Sequence, residues 1–145
     1  VPEEAVIEGR MGVSPRETVE EARNEMEEAV RAAANLDPWL KENTPEVEWF
    51  GSCWNSGEVS EDEPLVGMLV GSIDRHTGKK VRAEGAPWAT DAGTLIRFAG
   101  TPSVVFGPGA GAAAHQADEY IEIDNIKKAA SVMAHTILDW CGREE

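Results

Sequence analysis

The sequence predicts an α/β protein, and three features carry that expectation. Helical and strand-like segments alternate through residues 58–145, the rhythm of a sheet covered by helices. Ser103-Val104-Val105-Phe106 is a short apolar run, the pattern of a parallel strand buried on both faces. Before residue 58 a strand, a helix and an aromatic strand follow one another, which reads as half of an α+β sandwich.

Taken in order, Ala5 to Val13 is the first predicted strand. Ser14-Pro15-Arg16-Glu17 then has the form of a helix start, with Ser as N-cap, Pro at the first helical position and Glu placed to close a capping box. Val19, Ala22, Met26, Ala29, Val30 and Ala33 follow at helical spacing, so the helix is expected to reach about Asn35 with one apolar face. "LDPWLKENTP" breaks it, "EVEWFGSCW" reads as a second strand, and the polar "NSGEVSEDEP" as a hinge between two units. Leu65 to about His76 is a predicted helix and Lys80 to Glu84 a strand. "ATDAGTLIRFAG" is a further helix, with Thr90 or Asp91 as cap. After the Ser103–Phe106 strand, Ile123, Ile126, Ala130, Met133, Ile137 and Trp140 mark a closing amphipathic helix capped by Asp124.

Composition excludes several classes of partner. The 145 residues hold 13 Lys+Arg against 27 Asp+Glu, a net charge of −14. Nucleic acid and anionic membranes are poor partners for such a surface, because phosphates need clustered cations. No apolar run approaches a membrane span, no signal peptide is visible, and a cytoplasmic location is expected. Cys53 and Cys141 lie far apart without a C-x-x-C, which favours free, buried thiols over a disulfide. The sequence opens without Met and almost at once in a strand-like segment, as expected of a fragment of a longer protein.

The chemistry concentrates in "VFGPGAGAAAHQADE", residues 105–119. Gly107, Gly109 and Ala112 satisfy G-x-G-x-x-A, with Asp124 seventeen residues beyond Gly107. A dinucleotide fold needs a full crossover helix at this point, and no more than about eight residues precede the extended "EYIEI". A P-loop is excluded because no G-K-[ST] follows. The other reading makes His115 a metal ligand: Gly and Ala clear space for an ion and its substrate, and Asp118 and Glu119 stand where they can orient the imidazole. Catalytic zinc takes three protein ligands or more, and no H-E-x-x-H, H-x-D or Cys cluster supplies the others. His76, near a helix end, is accounted for by the helix dipole, and His135, off the apolar stripe, is expected on the surface.

"VSPRET", "LDPWL", "VEWFG", "TDAGTL", "GTPSVVFGPG", "HQADEYIEIDN" and "ILDWCG" appear in order along nearly the whole chain. As an ordered set they resemble the acetylornithine deacetylase / succinyl-diaminopimelate desuccinylase family, zinc hydrolases related to aminoacylase and carboxypeptidases. The resemblance is to the C-terminal part of such an enzyme. It implies that residues 1–57 are the second half of a lid or dimerisation domain, and residues 58–145 the last part of an α/β catalytic domain. It implies that His115 is a metal ligand, with one or two zinc ions (cobalt or manganese as substitutes). Asp118 and Glu119 would support that ligand, and Thr90, Asp91 and Gly107 would border the substrate.

The family's H-x-D motif, bridging Asp, general-base Glu and adjacent Glu ligand have no counterpart here, so no catalytic residue is expected within this chain. The implied activity is hydrolysis of an N-acyl amino acid or small peptide by a longer protein that forms a homodimer. The missing N-terminal part of the same protein would then be a partner. The rival expectation is a non-catalytic interaction or dimerisation module. Half of a split sheet should also expose an unpaired edge.

Overall fold

Two copies of one capping signal compete at the start of the first helix. Ser14-Pro15-Arg16-Glu17 and Thr18-Val19-Glu20-Glu21 both fit S/T-x-x-E. In the structure, a computed structural model that describes residues 3–109 and 111–142, the second copy wins. Helix α1 spans Val19–Ala34 with Thr18 as N-cap. Thr18 Oγ1 accepts the Glu21 N–H at 3.1 Å, and Glu21 Oε2 accepts the Thr18 N–H at 2.8 Å. The expected start at Ser14 is thus corrected. That stretch is a turn in which the Glu17 N–H donates to the Ser14 carbonyl at 3.1 Å. Starting at Thr18 also buries Ala22, and the inner face continues to Ala34, whereas Met26, Ala29 and Ala33 of the predicted stripe are exposed.

The break after α1 contains a short helix of its own, α2 (Pro38–Glu42). Asp37 caps it, accepting from the Trp39 and Leu40 N–H groups at 2.8 and 2.9 Å, and Pro38 occupies the first turn. The aromatic segment that follows lies against α1: Trp49 Nε1–H donates to Glu27 Oε1 at 2.8 Å, and Arg23 sits 5.3 Å from the Trp49 ring centre. These two residues lie one turn apart on the helix, so one indole spans both.

Helix α3 (Pro64–Thr77) begins on a proline and ends at Gly78, whose φ of +66° provides the left-handed cap. Helix α4 (Ala92–Ala99) ends the same way at Gly100. A 3₁₀ turn covers Gly111–Ala113, and α5 spans Ile123–Cys141. Its cap position is Glu122, without a side-chain bond. Asp124, expected as the cap, lies in the first turn and pairs with Lys127 at 3.4 Å.

The principal helix–helix contact joins α3 to α5, and small residues make it. Its buried residues are Val66 and Ser72 of α3 and Ala129, Val132 and Thr136 of α5. Ser72 Oγ–H donates to the Val132 carbonyl at 3.0 Å. This reverses the expected orientation of α5. Ile126, Met133, Ile137 and Trp140, the predicted inward stripe, are exposed, while the Ala-Val-Thr side of the helix faces α3.

No strand forms among the described residues, so the strands expected at 5–13, 46–54, 80–84 and 103–106 are absent there and the α/β class is not confirmed. A strand exists only when a neighbour completes its hydrogen bonds, and none of these segments runs in a ladder beside another. Several of their apolar side chains stay outside, Ile7 at 96% and Phe50 at 71% exposure, while Val104 and Phe106 are half-buried. The 15.7 kDa chain accordingly exposes 12,074 Å², where a compact monomer of that mass exposes about 7,300 Å². Both cysteines are free, as expected, but exposed rather than buried. No helix is long and apolar enough to cross a membrane among the described residues.

Candidate functional site

The loop between α4 and α5 holds its histidine in an unusual backbone state. His115 has φ +63°, the one positive value among described residues other than glycine. Left-handed backbone is tolerated by histidine better than by branched residues, but it still needs support. Glu119 supplies it: its Oε2 accepts the His115 N–H at 3.1 Å. Around it, Gln116 Nε2–H donates to the Ala112 carbonyl at 2.6 Å, and the Glu119 N–H donates to the Gln116 carbonyl at 3.1 Å. The loop is therefore a set of short, self-closing bonds, and its small residues leave the His115 side chain exposed.

The expected supports divide. Glu119 does hold His115, through the backbone rather than the imidazole, while Asp118 is exposed and makes no hydrogen bond to it among the described residues. Ala110, inside the Gly/Ala stretch, lies outside those residues.

Thr90 and Asp91 lie at the mouth of α4. Thr90 Oγ1 accepts the Ala92 N–H at 3.3 Å, so threonine does the capping. Asp91 occupies the N-cap position with helical backbone and makes no capping bond, which leaves its carboxylate for other contacts. Gly107 is exposed, with open space where a Cβ would project. No hydrogen bond or ion pair joins Thr90 or Asp91 to the His115 loop among the described residues. Nor do three or more His, Cys, Asp or Glu side chains gather into a metal-binding group among them. An exposed imidazole on a small-residue loop suits a divalent ion as one ligand; one ligand does not make a zinc site.

Sequence reasoning missed how the expected hinge is anchored. Ser56 Oγ–H donates to the Ser14 carbonyl at 3.0 Å, and Arg16 pairs with Glu58 at 3.4 Å. On the other side the backbone at Asn55 and Gly57 crosses α4 at Gly93. A Cβ on Gly93 would collide with the Asn55 carbonyl, and one on Gly57 would lie 2.8 Å from Ile96 Cδ1 and 2.9 Å from Gly93 Cα. The visible signal was the glycine of "TDAG", placed within a helix where it weakens propensity and must have another use. Beside this crossing, Glu58, Val59, Ile96, Thr101 and Pro102 line a cavity of about 170 Å³. The segment that carries Thr90 and Asp91 is thus tied to the linker.

Sequence comparison supplies what the geometry leaves open. The profile of peptidase family M20/M25/M40 matches residues 2–139. A curated relative from Halalkalibacterium halodurans, an N-formyl-4-amino-5-aminomethyl-2-methylpyrimidine deformylase, is 31% identical over 135 residues, covering 88% of this chain and 31% of its own. The protein of the same name from Bacillus subtilis strain 168 is 29% identical over 139 residues, covering 90% of this chain and 32% of its own. The chain therefore spans about a third of the length of these relatives. No solved structure gives a significant match. The relatives cleave a formamide, a C–N amide bond, and neither is named a deacetylase or desuccinylase.

Proposed function

The chain belongs to peptidase family M20/M25/M40, and from that premise we propose that it is the C-terminal part of a metal-dependent amide hydrolase that removes a small acyl group from an amine. The observation that carries this is His115, an exposed imidazole on a left-handed backbone in a loop of small residues. In this reading His115 is one ligand of a divalent metal, and ligands elsewhere in the longer protein complete the site. Asp91, free of capping duty, and Thr90 border the substrate with Gly107, and Glu119 fixes the backbone from which His115 projects.

The substrate class follows from the relatives' names. A formylated aminomethyl-pyrimidine and an N-acyl amino acid share a small acyl group on a primary amine, and the deformylase names favour the smallest acyl group. The exposed apolar segments support docking onto the rest of such an enzyme, since a sheet supplied there would pair them and cover α5. Homodimerisation through residues 1–57 belongs to the same proposal.

The test is made on the full-length protein. It should release formate or a short carboxylate from an N-acylated amine, and His115→Ala should lower both metal content and turnover by orders of magnitude. Near wild-type turnover with a full metal complement would overturn the assignment. The 145-residue chain alone should be inactive. A second reading, a non-catalytic docking module, is favoured by the same exposed surface. It predicts that a full-length protein lacks amidase activity while this chain still binds a protein partner.

A further inference from the structure

The α3–α5 contact carries a second pair of groups that the amide-hydrolase reading does not use. His76, in the last turn of α3, and His135 of α5 face each other with ring centres 4.2 Å apart and planes tilted by 45°. His76 follows Ser72 by one turn, and His135 lies between Val132 and Thr136, so the pair continues the packed face. The expectation that His135 is a surface residue is corrected here: it is half-buried.

Both rings keep a nitrogen without a partner. His76 Nε2 is buried and makes no hydrogen bond, a state that costs about 1–3 kcal/mol for a neutral polar group. His135 Nδ1 lies 3.1 Å from the Ser131 carbonyl oxygen. A neutral ring donates Nδ1–H to that oxygen, which leaves Nε2 as a bare lone pair. One helix thus fixes the tautomer that a metal ligand needs.

We propose that His76 and His135 form a two-imidazole site for a divalent transition-metal ion, of the nickel, copper or zinc type, that clamps α3 to α5. Metal–imidazole bonds of about 2.1 Å put each ring centre roughly 3.2 Å from the ion, so centres 4.2 Å apart subtend an angle of about 80° there. That is close to the angle between neighbouring positions of a square-planar or octahedral ion. No third His, Cys, Asp or Glu completes the group among the described residues, so water fills the remaining positions.

The surrounding charge is compatible with a cation. From α3 the neighbours are Asp74 and Arg75, and from α5 Asp139, one turn beyond His135. Arg75 and Asp139 pair with each other at 3.3 Å, which offsets the positive charge of Arg75. The chain's net charge of −14 adds a general attraction.

The test is independent of any hydrolase activity. The chain is stripped with a chelator and titrated with NiCl₂, CuCl₂ or ZnCl₂, following Tm, heat of binding and the histidine NMR resonances. One ion should bind per chain, raise Tm and perturb His76 and His135 together. His115→Ala should leave this binding unchanged. His76→Phe and His135→Phe keep an aromatic ring in the stack, and each should retain helix content while weakening binding at least about tenfold. Failure of the unmodified chain to bind would overturn the proposal, as would binding that survives both Phe variants. If those variants unfold, resonance changes confined to His115 in the unmodified chain would overturn it as well.

Discussion

Ser72 Oγ–H donates to the Val132 carbonyl at 3.0 Å, and both side chains are fully enclosed, at 0% and 1% exposure. Thr136 Oγ1–H donates to the same carbonyl at 2.9 Å. One acceptor therefore collects hydroxyls from both helices at the main packing contact. Removing either donor leaves the oxygen with the other, so Ser72→Ala and Thr136→Val should each cost about 1 kcal/mol or less. The double variant strips both hydroxyls, but the carbonyl keeps the Thr136 N–H of its own helix, so its cost should be about the sum of the two. Urea unfolding of the four proteins measures the coupling; a cost above the sum by about 0.5 kcal/mol or more would show that the helical amide alone does not satisfy this oxygen.

At the start of α1, Thr18→Ala should cost about 1 kcal/mol, because it removes the cap that wins over Ser14. Ser14→Ala should cost much less, since Ser14 closes no helix. The same box sets a pH dependence. The Thr18 N–H and then its hydroxyl hold the Glu21 carboxyl below the ordinary carboxylate value, with Arg97 adding a smaller pull and desolvation opposing. A lowered carboxylate contributes stability that is complete above its unfolded value and lost as pH falls through the lowered one. Helix content followed by circular dichroism should therefore fall over that acid window, and Glu21→Gln should flatten the step.

Gly93→Ala should destabilise the chain by about 1–3 kcal/mol, the range for forcing an atom into a packed site. The Asn55 carbonyl occupies the space that the methyl needs, so the linker must lift from α4. Hydrogen exchange should then accelerate around residues 55–58 and at the first turn of α4, next to Thr90 and Asp91. Unchanged protection in both segments would show that the crossing does not hold the linker.

The features legible in the sequence were those written in local chemistry. Pro64 and Gly78 bracket α3, Gly100 ends α4, and Asp37-Pro38 starts a helix that a helix-breaking reading passes over. The strands were not legible in the same sense. Residues 103–106 have strand composition, but pairing depends on a neighbour that composition does not contain. His76 and His135 lie far apart in sequence, and only the α3–α5 contact brings them together. His115 stood out through the small residues around it, whereas its left-handed backbone and the role of Glu119 needed coordinates.

Helix α5 shows why apolar periodicity can point to the wrong face. Its large residues form a stripe, and α3 takes the opposite, small-residue side, because Ala129, Val132 and Thr136 permit close approach. Ile137 and Trp140 remain 57% and 54% exposed, a contiguous apolar surface of the kind that binds partners or self-associates. Ile137→Lys should consequently preserve helix content and stability while lowering binding of a hydrophobic dye and raising the concentration at which the chain stays monodisperse. Val132→Lys should do the opposite, unfolding the α3–α5 pair by burying a charge without a partner. If Ile137→Lys proved as disruptive as Val132→Lys, the stripe would face inward in solution and the orientation of α5 would be wrong.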